Sequence, residues 1–424
     1  MSVLAALLVG CALLPQQPFV EEGVPSTGRA DPRLTPFDTL MREFVGERGA
    51  PGATLAVMRN GRLVYSRGFG FADLEAGEVM QPQARMRIAS LSKPITAAMI
   101  LLLAEEGALE LDDPALALVD PRLFRGRLPL DRRWGEVTVA HLLEHTAGLD
   151  RRRSGDPPFM ALRAARELGV EPPASVDEVV GWQLQRPLDH APGERFEYSN
   201  FGYSLLGRVI ERVTGQPYEE AVRERLLSPI GAGGMRIGAS LRGDRLPGEV
   251  VYHGGRRTPG AAKGAIGERV SEPYGGWEQQ GLDSHGGWVA SAPELLRFAR
   301  LFRPAEEGAL LGPESLARAF AEPETLPPDE AREVWYAAGW SVRRLPGERF
   351  HAWHFGTLPG TSTLLVLRAD GLAWCALFNE LGDSEGRMLA KALDPRLHRA
   401  AAEVHAWPEF DLFELEEQAA EGTR

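Results

Sequence analysis

The sequence predicts an α/β fold in which both ends of the chain build one antiparallel sheet, flanked by helices, with a mainly helical region at about residues 91–305 inserted. Three observations predict it. A hairpin signature stands near residue 60, strand patterns return at residues 361–378, and the stretch between them reads as helices joined by Gly- and Pro-rich loops.

Taken in order, residues 40–45 and their neighbours form an amphipathic pattern, a helix expected to end near Gly46. The runs Ala53-Thr54-Leu55-Ala56-Val57-Met58 and Leu63-Val64-Tyr65 flank Asn60-Gly61, the strongest two-residue turn signal. Residues 94–104 are apolar on every side, which marks a buried helix that Gly107 stops. Proline is accepted only in a helix's first turn, so Pro94 fixes that helix's start near Ser90 to Ser92. Helical patterns follow at Asn200–Thr214 and at residues 293–302. Residues 239–287 are rich in glycine and proline and poor in periodic apolar positions, which reads as a lid or substrate-lining loop rather than core. The runs 361–367 and 374–378 read as strands, with Cys375 a packed thiol, and a helix is expected near 386–393.

At 424 residues the chain can bury a large core, and 44% apolar with 25% charged residues is an ordinary globular balance. A net charge of -12 argues against nucleic acid, whose binding needs Lys and Arg on phosphates, and favours a small-molecule or peptide substrate. Two cysteines, Cys11 and Cys375, make neither a disulfide framework nor a metal cluster. The apolar segment 1–14, followed by the polar, Pro-rich linker 15–34, resembles an export signal. Leu8-Val9-Gly10-Cys11 also resembles a lipoprotein processing site, although no positive region precedes it, so the expected location is periplasmic or membrane-anchored through Cys11. No later run approaches about 18 apolar residues, hence no spanning helix is expected. The organisation is then one main domain at 35–395 and a C-terminal helix with acidic tail at 396–424.

The strongest chemical signal is Ser90-Leu91-Ser92-Lys93. Residues three apart share a helical face, so the Ser90 hydroxyl and the Lys93 amine can meet. The helix N-terminus disfavours a protonated lysine, favours a developing anion, and offers free amides to an oxyanion. Burial lowers a lysine pKa further, toward a working base. Only three of the 47 basic residues are lysines, and one of them falls here. The plainer alternative makes Ser90 a cap and Lys93 a solvated charge.

A second group is Tyr198-Ser199-Asn200, after the turn at Pro192-Gly193, where a phenol can share the lysine's proton and protonate a leaving group. The Asn200 amide can hold both a substrate carbonyl and the lysine. The alternative is a buried aromatic beside a helix cap. A third group is His354-Phe355-Gly356-Thr357: Gly356 would let a substrate lie close to the strand, and the Thr357 amide would be a second oxyanion donor beside that of Ser90.

Ser90-x-x-Lys93, Tyr198-x-Asn200 and His354-x-Gly356, in this order and spacing, resemble the three motifs of the serine β-lactamase and penicillin-binding protein superfamily, in particular class C β-lactamases and their esterase and D-peptidase relatives. Residues 141–149, 192–207 and 286–291 resemble the stretches around those motifs, and the resemblance covers about 35–395. It implies a β-lactamase/DD-peptidase-like fold and a serine hydrolase that cleaves an ester or amide without cofactor or metal. Ser90 is then the nucleophile, Lys93 and Tyr198 transfer protons, Asn200 positions substrate, and the Ser90 and Thr357 amides form the oxyanion hole. One departure bears on substrate: β-lactamases carry lysine where this chain has His354, and histidine there occurs in esterase-like and D-aminopeptidase-like relatives. An esterase or D-peptidase-like activity is therefore expected, with a true class C-type β-lactamase, a DD-carboxypeptidase and a non-catalytic penicillin-recognising protein as the alternatives. His141-Leu142-Leu143-Glu144-His145 also matches the H-x-x-E-H pattern of inverted zinc peptidases, but the helix must stop at Thr146-Ala147-Gly148 and the segment reads as scaffold.

Overall fold

A computed structural model of the protein describes residues 23–415, except 304–308, 328, 330 and 348. The predicted hairpin forms from Gly52–Arg59 and Arg62–Asp73, with Asn60 and Gly61 at φ 49° and 83°, the positive angles a type I′ turn requires. Leu372–Phe378 pairs antiparallel with Gly52–Arg59, which closes the sheet between the two ends of the chain. Thr361–Leu367, Arg349–Leu358, Ser341–Leu345 and Val334–Tyr336 continue it outward on the C-terminal side.

Both faces of this sheet are covered, which is why its central strands read as unbroken apolar runs rather than as alternation. Ala56, Met58, Cys375 and Leu377 face the larger core with Ile95, Met99 and Trp288. Their neighbours Leu55, Val57, Trp374 and Phe378 face a second core with Phe37, Phe44 and Leu393. Cys375 is a free, buried thiol. The buried helix runs Ser92–Glu105, every residue from Ser92 to Leu103 being buried, and Pro94 lies in its first turn as expected.

The structure corrects three boundaries and refines the reading of one loop. The first helix spans Thr35–Arg48, because Gly49, not Gly46, takes the left-handed cap (φ 62°) and donates back to the Gly46 and Val45 carbonyls. The C-terminal helix is Leu389–Ala402 instead of 386–393: Leu397, Ala400 and Ala401 carry its buried stripe past Pro395 and across the expected boundary at 396. Part of the linker 15–34 belongs to the fold, since Ser26–Thr27 pairs with Arg62–Asp73 and Asp31 caps a turn at Pro32–Leu34. Residues 239–287 are in part packed rather than a free lid, and Leu282, His285 and Gly286 at their C-terminal end line the cavity described below. The segment buries Tyr252, Trp277, Gln279 and Leu282 and is tied to the buried guanidinium of Arg87, which donates to the Pro273 (2.5 Å) and Ala239 (2.8 Å) carbonyls and lies 4.5 Å over the Tyr252 ring. Short strands also occur in the inserted region, where Trp288–Ala290 pairs with Met86–Arg87 and Arg236–Ile237. The segment 1–22, with Cys11, and the tail beyond 415 lie outside the described residues. Among the described residues no helix is long and apolar enough to cross a membrane.

Candidate active site

Ser90 sits in a tight turn, Ala89–Leu91, immediately before the buried helix. Ala89 is left-handed at φ 49°, a conformation that costs an L-residue about 1–2 kcal/mol and persists where the surroundings over-determine it. The surroundings here are hydrogen bonds. The Ser92 hydroxyl donates to the Ala89 carbonyl (2.7 Å), and the Thr361 and Thr363 hydroxyls donate from the sheet to the carbonyls of Arg87 and Ile88 (3.0 Å each). Gly356 completes the seam. A Cβ there would fall 2.2 Å from Thr363 Oγ1 and 2.3 Å from the Ile88 carbonyl, so the glycine lets the strand dock against the turn that carries Ser90. The clash gives Gly356 a structural role beside the expected one of making room for substrate.

Lys93 is fully buried, and its Nζ contacts three oxygens: Ser90 Oγ at 3.1 Å, Asn200 Oδ1 at 2.7 Å and the His285 carbonyl at 3.0 Å. Burial holds its pKa well below the ordinary lysine value, reinforced by Arg151 and opposed by Asp156. A neutral amine has two N–H groups and one lone pair. The amide oxygen and the peptide carbonyl can only accept, so they take the two N–H groups, and the lone pair is left for the Ser90 hydroxyl.

Asn200 opens the helix Asn200–Thr214, but its cap is Ser199, whose hydroxyl accepts from the Gly202 amide (3.2 Å). The Asn200 side chain is thereby free to bridge, accepting from Lys93 and donating through Nδ2 to Asp156 Oδ2 (2.6 Å). The Tyr198 ring lies 4.8 Å from Lys93 Nζ, between the ring of His145 (4.3 Å) and the guanidinium of Arg151 (4.9 Å). Burial pushes its phenol above the ordinary tyrosine value, although a hydrogen bond with Ser90 and the charge of Arg151 act downward, so it keeps its proton.

His354 points from strand Arg349–Leu358 toward the same place. Its Nδ1 donates to the Phe355 carbonyl (2.8 Å), leaving Nε2 to accept from the Tyr336 hydroxyl (3.0 Å). Burial and the charge of Lys93 push its pKa down to about 3, so it is a neutral imidazole at working pH. A cavity of about 450 Å³ brings together Ser90, Tyr198, Asn200, His354 and Thr357, joined by Tyr336, Arg151, Asp156 and His285.

Those last four escape sequence reasoning. Tyr336 ends the short strand Val334–Tyr336 and Asp156 stands in a loop, neither marked by a periodic pattern, Arg151 is one of three consecutive arginines, and His285 contributes a backbone carbonyl, which no residue type can signal. The only sequence hint was the neighbouring Gly286-Gly287-Trp288. The H-x-x-E-H residues are occupied separately. His141 closes a capping box with Thr138, Glu144 pairs with Arg318 and Thr325, and His145 lies among Tyr198, Tyr203 and Tyr336 while its Nδ1 accepts from the Ser199 amide. The segment is scaffold beneath Tyr198.

Similarity to known proteins agrees with this arrangement. The Beta-lactamase family matches residues 37–396. Esterase EstB of Burkholderia gladioli is 32% identical over 351 residues, 76% of this chain and 83% of the esterase. Two solved structures share the fold. The octameric penicillin-binding protein homologue from Pyrococcus abyssi has a TM-score of 0.63 at 24% identity, covering 86% of this chain and 77% of that one. The D-amino acid amidase from Ochrobactrum anthropi SV3 has a TM-score of 0.65 at 19% identity, covering 88% and 98%. The motifs, the sheet built from both ends and these likenesses converge: the chain belongs to the β-lactamase family, as a serine hydrolase.

Proposed function

We propose that this hydrolase cleaves esters, or amides of the D-peptidase type, through an acyl-enzyme on Ser90. The observation that carries the reading is the buried Lys93 amine, 3.1 Å from Ser90 Oγ with its two other contacts on acceptor-only oxygens. As Ser90 Oγ bonds to the substrate carbonyl carbon, its proton passes to Lys93, and the charge gathering on the carbonyl oxygen meets the amides of Ser90 and Thr357. When the tetrahedral species collapses, the bond to the leaving group breaks and that group takes a proton from the Tyr198 phenol, which Lys93 can restore. Water, activated by the same amine, then releases the acid. The likeness to a protein named as an esterase supports the ester arm.

His354 supports the choice of substrate. A third-motif lysine is a cation that holds the carboxylate of penicillins and cephalosporins, whereas this imidazole is neutral and turned to Tyr336 and Phe355. Losing a charge-assisted hydrogen bond of about 1.5–3 kcal/mol weakens such substrates by roughly 10- to 150-fold, and uncharged acyl groups lose nothing. A nitrophenyl ester should therefore give a higher kcat/KM than a chromogenic cephalosporin, and His354→Lys should move the ratio toward the cephalosporin. Measuring kcat/KM for both substrates on both proteins decides it. A wild type that strongly prefers the cephalosporin would favour a β-lactamase instead.

A further inference from the structure

The contacts that orient Lys93 continue one residue beyond the motifs. Asp156 stands just ahead of the turn Pro157–Phe159 and lines the cavity. Its Oδ2 accepts from Asn200 Nδ2 at 2.6 Å, the one hydrogen bond its carboxylate takes among the described residues, and its Oδ1 is buried without a partner. Burial pushes this carboxyl's pKa up, while the Asn200 bond, Arg151 and Lys93 pull it down. A desolvated carboxylate with one neutral partner costs stability, so its place here is not explained by packing.

We propose that Asp156 is a positioning residue for hydrolysis, fixing the Asn200 amide with its oxygen toward Lys93. An amide fits the same space in two orientations that exchange its oxygen and its NH2. An ionised carboxylate only accepts, so it selects the orientation with NH2 on Asp156 and oxygen on Lys93. Only then are both N–H groups of the neutral amine occupied and its lone pair left to Ser90. In the reversed orientation the NH2 of Asn200 would compete with the serine hydroxyl for that lone pair. The inference rests on Lys93 being the base for Ser90.

The charge of Asp156 has a second effect. The groups that face Lys93 are Asp156 and Arg151 from the 151–156 segment, His145 beneath Tyr198, His285, His354 on its strand, and the phenols of Tyr198 and Tyr203. Burial keeps the three histidines and both phenols neutral, which leaves Asp156 favouring the charged lysine and Arg151 opposing it. Removing the Asp156 charge should let Lys93 lose its proton at a lower pH.

The test is the rate at which a fluorophosphonate labels Ser90 in the full chain, followed between about pH 5 and 10. Asp156→Asn should lower the plateau rate by roughly tenfold or more, as expected when a reacting pair is misoriented. Its acid limb should move to lower pH, and its melting midpoint should equal or exceed the wild type's, because a desolvated charge is gone. Asp156→Ala, which leaves the Asn200 NH2 without an acceptor, should move the rate and the acid limb the same way. A plateau within about twofold of wild type with an unmoved acid limb overturns the inference, as does a slower rate that comes with a lower melting midpoint and an unmoved limb. An unlabelled wild type overturns the reading of Ser90 itself, and a labelled wild type with an unresponsive Asp156→Asn protein overturns the inference alone.

Discussion

Ser90→Ala should reduce turnover by roughly 10³-fold or more, while leaving the fold intact. The size of the loss follows from the role proposed for the hydroxyl. Without Oγ no acyl bond forms, and the amides of Ser90 and Thr357 are left to stabilise only a direct attack by water. The fold should be spared because the turn is held by other groups: the Ser92 hydroxyl on the Ala89 carbonyl and the two threonine hydroxyls on Arg87 and Ile88. Circular dichroism should be unchanged. Intact-mass spectrometry with a slowly released ester should show an adduct on the wild type only, and an adduct of equal yield on the variant would remove Ser90 from the mechanism.

Lys93→Arg should be nearly as damaging, with a loss of roughly 10²- to 10⁴-fold, the range for a lost general base. Arginine keeps the charge but not the capacity to give up its proton at any working pH. The proposed mechanism needs the opposite state, toward which burial lowers the lysine pKa, and the contacts at 2.7 and 3.0 Å would take both protons of a neutral amine. A guanidinium there adds a permanent charge next to the neutral imidazoles of His145, His285 and His354, so the melting midpoint should fall together with the rate. The rate of fluorophosphonate labelling reports the base directly. A variant that keeps most of that rate would make Lys93 an electrostatic anchor and Tyr198 the base.

Much of this arrangement is legible in the chain because local chemistry and global fold agree. Asn60-Gly61 admits hardly anything but a hairpin, Pro94 admits hardly any other helix start, and Ser90 and Lys93 are placed by that start. Other features belong to space rather than to sequence. Gly356 carries no mark that says its missing side chain faces Ile88, for the clash comes from a segment more than 260 residues away in the chain. Residues 239–287 read as a lid or substrate-lining loop because one of the groups that anchor them, the buried Arg87, donates its hydrogen bonds to backbone carbonyls, which no residue type in the segment signals. Asp156 acts on Lys93 through Asn200, two contacts removed, a relation no spacing rule contains.

The closure of the sheet between the two chain ends bears on how the protein is made. Leu372–Phe378 pairs with Gly52–Arg59, and the Asn379 amide donates to the Phe71 carbonyl across 308 residues. A ribosome adding about 5–20 residues per second therefore finishes the hairpin on the order of tens of seconds before its partner strand exists. Through that interval the edge of Gly52–Arg59 is an open template for other chains, and the long closure makes the final pairing slow. Ser90, Lys93, Tyr198 and Asn200 are all synthesised early, yet Thr361, Thr363 and Gly356, which hold the Ser90 turn against the sheet, arrive late. Premature termination between residues 201 and 371 leaves a polypeptide that contains Ser90, Lys93, Tyr198 and Asn200 but lacks the strand Leu372–Phe378 that closes the sheet, and such a chain depends on chaperones to stay soluble.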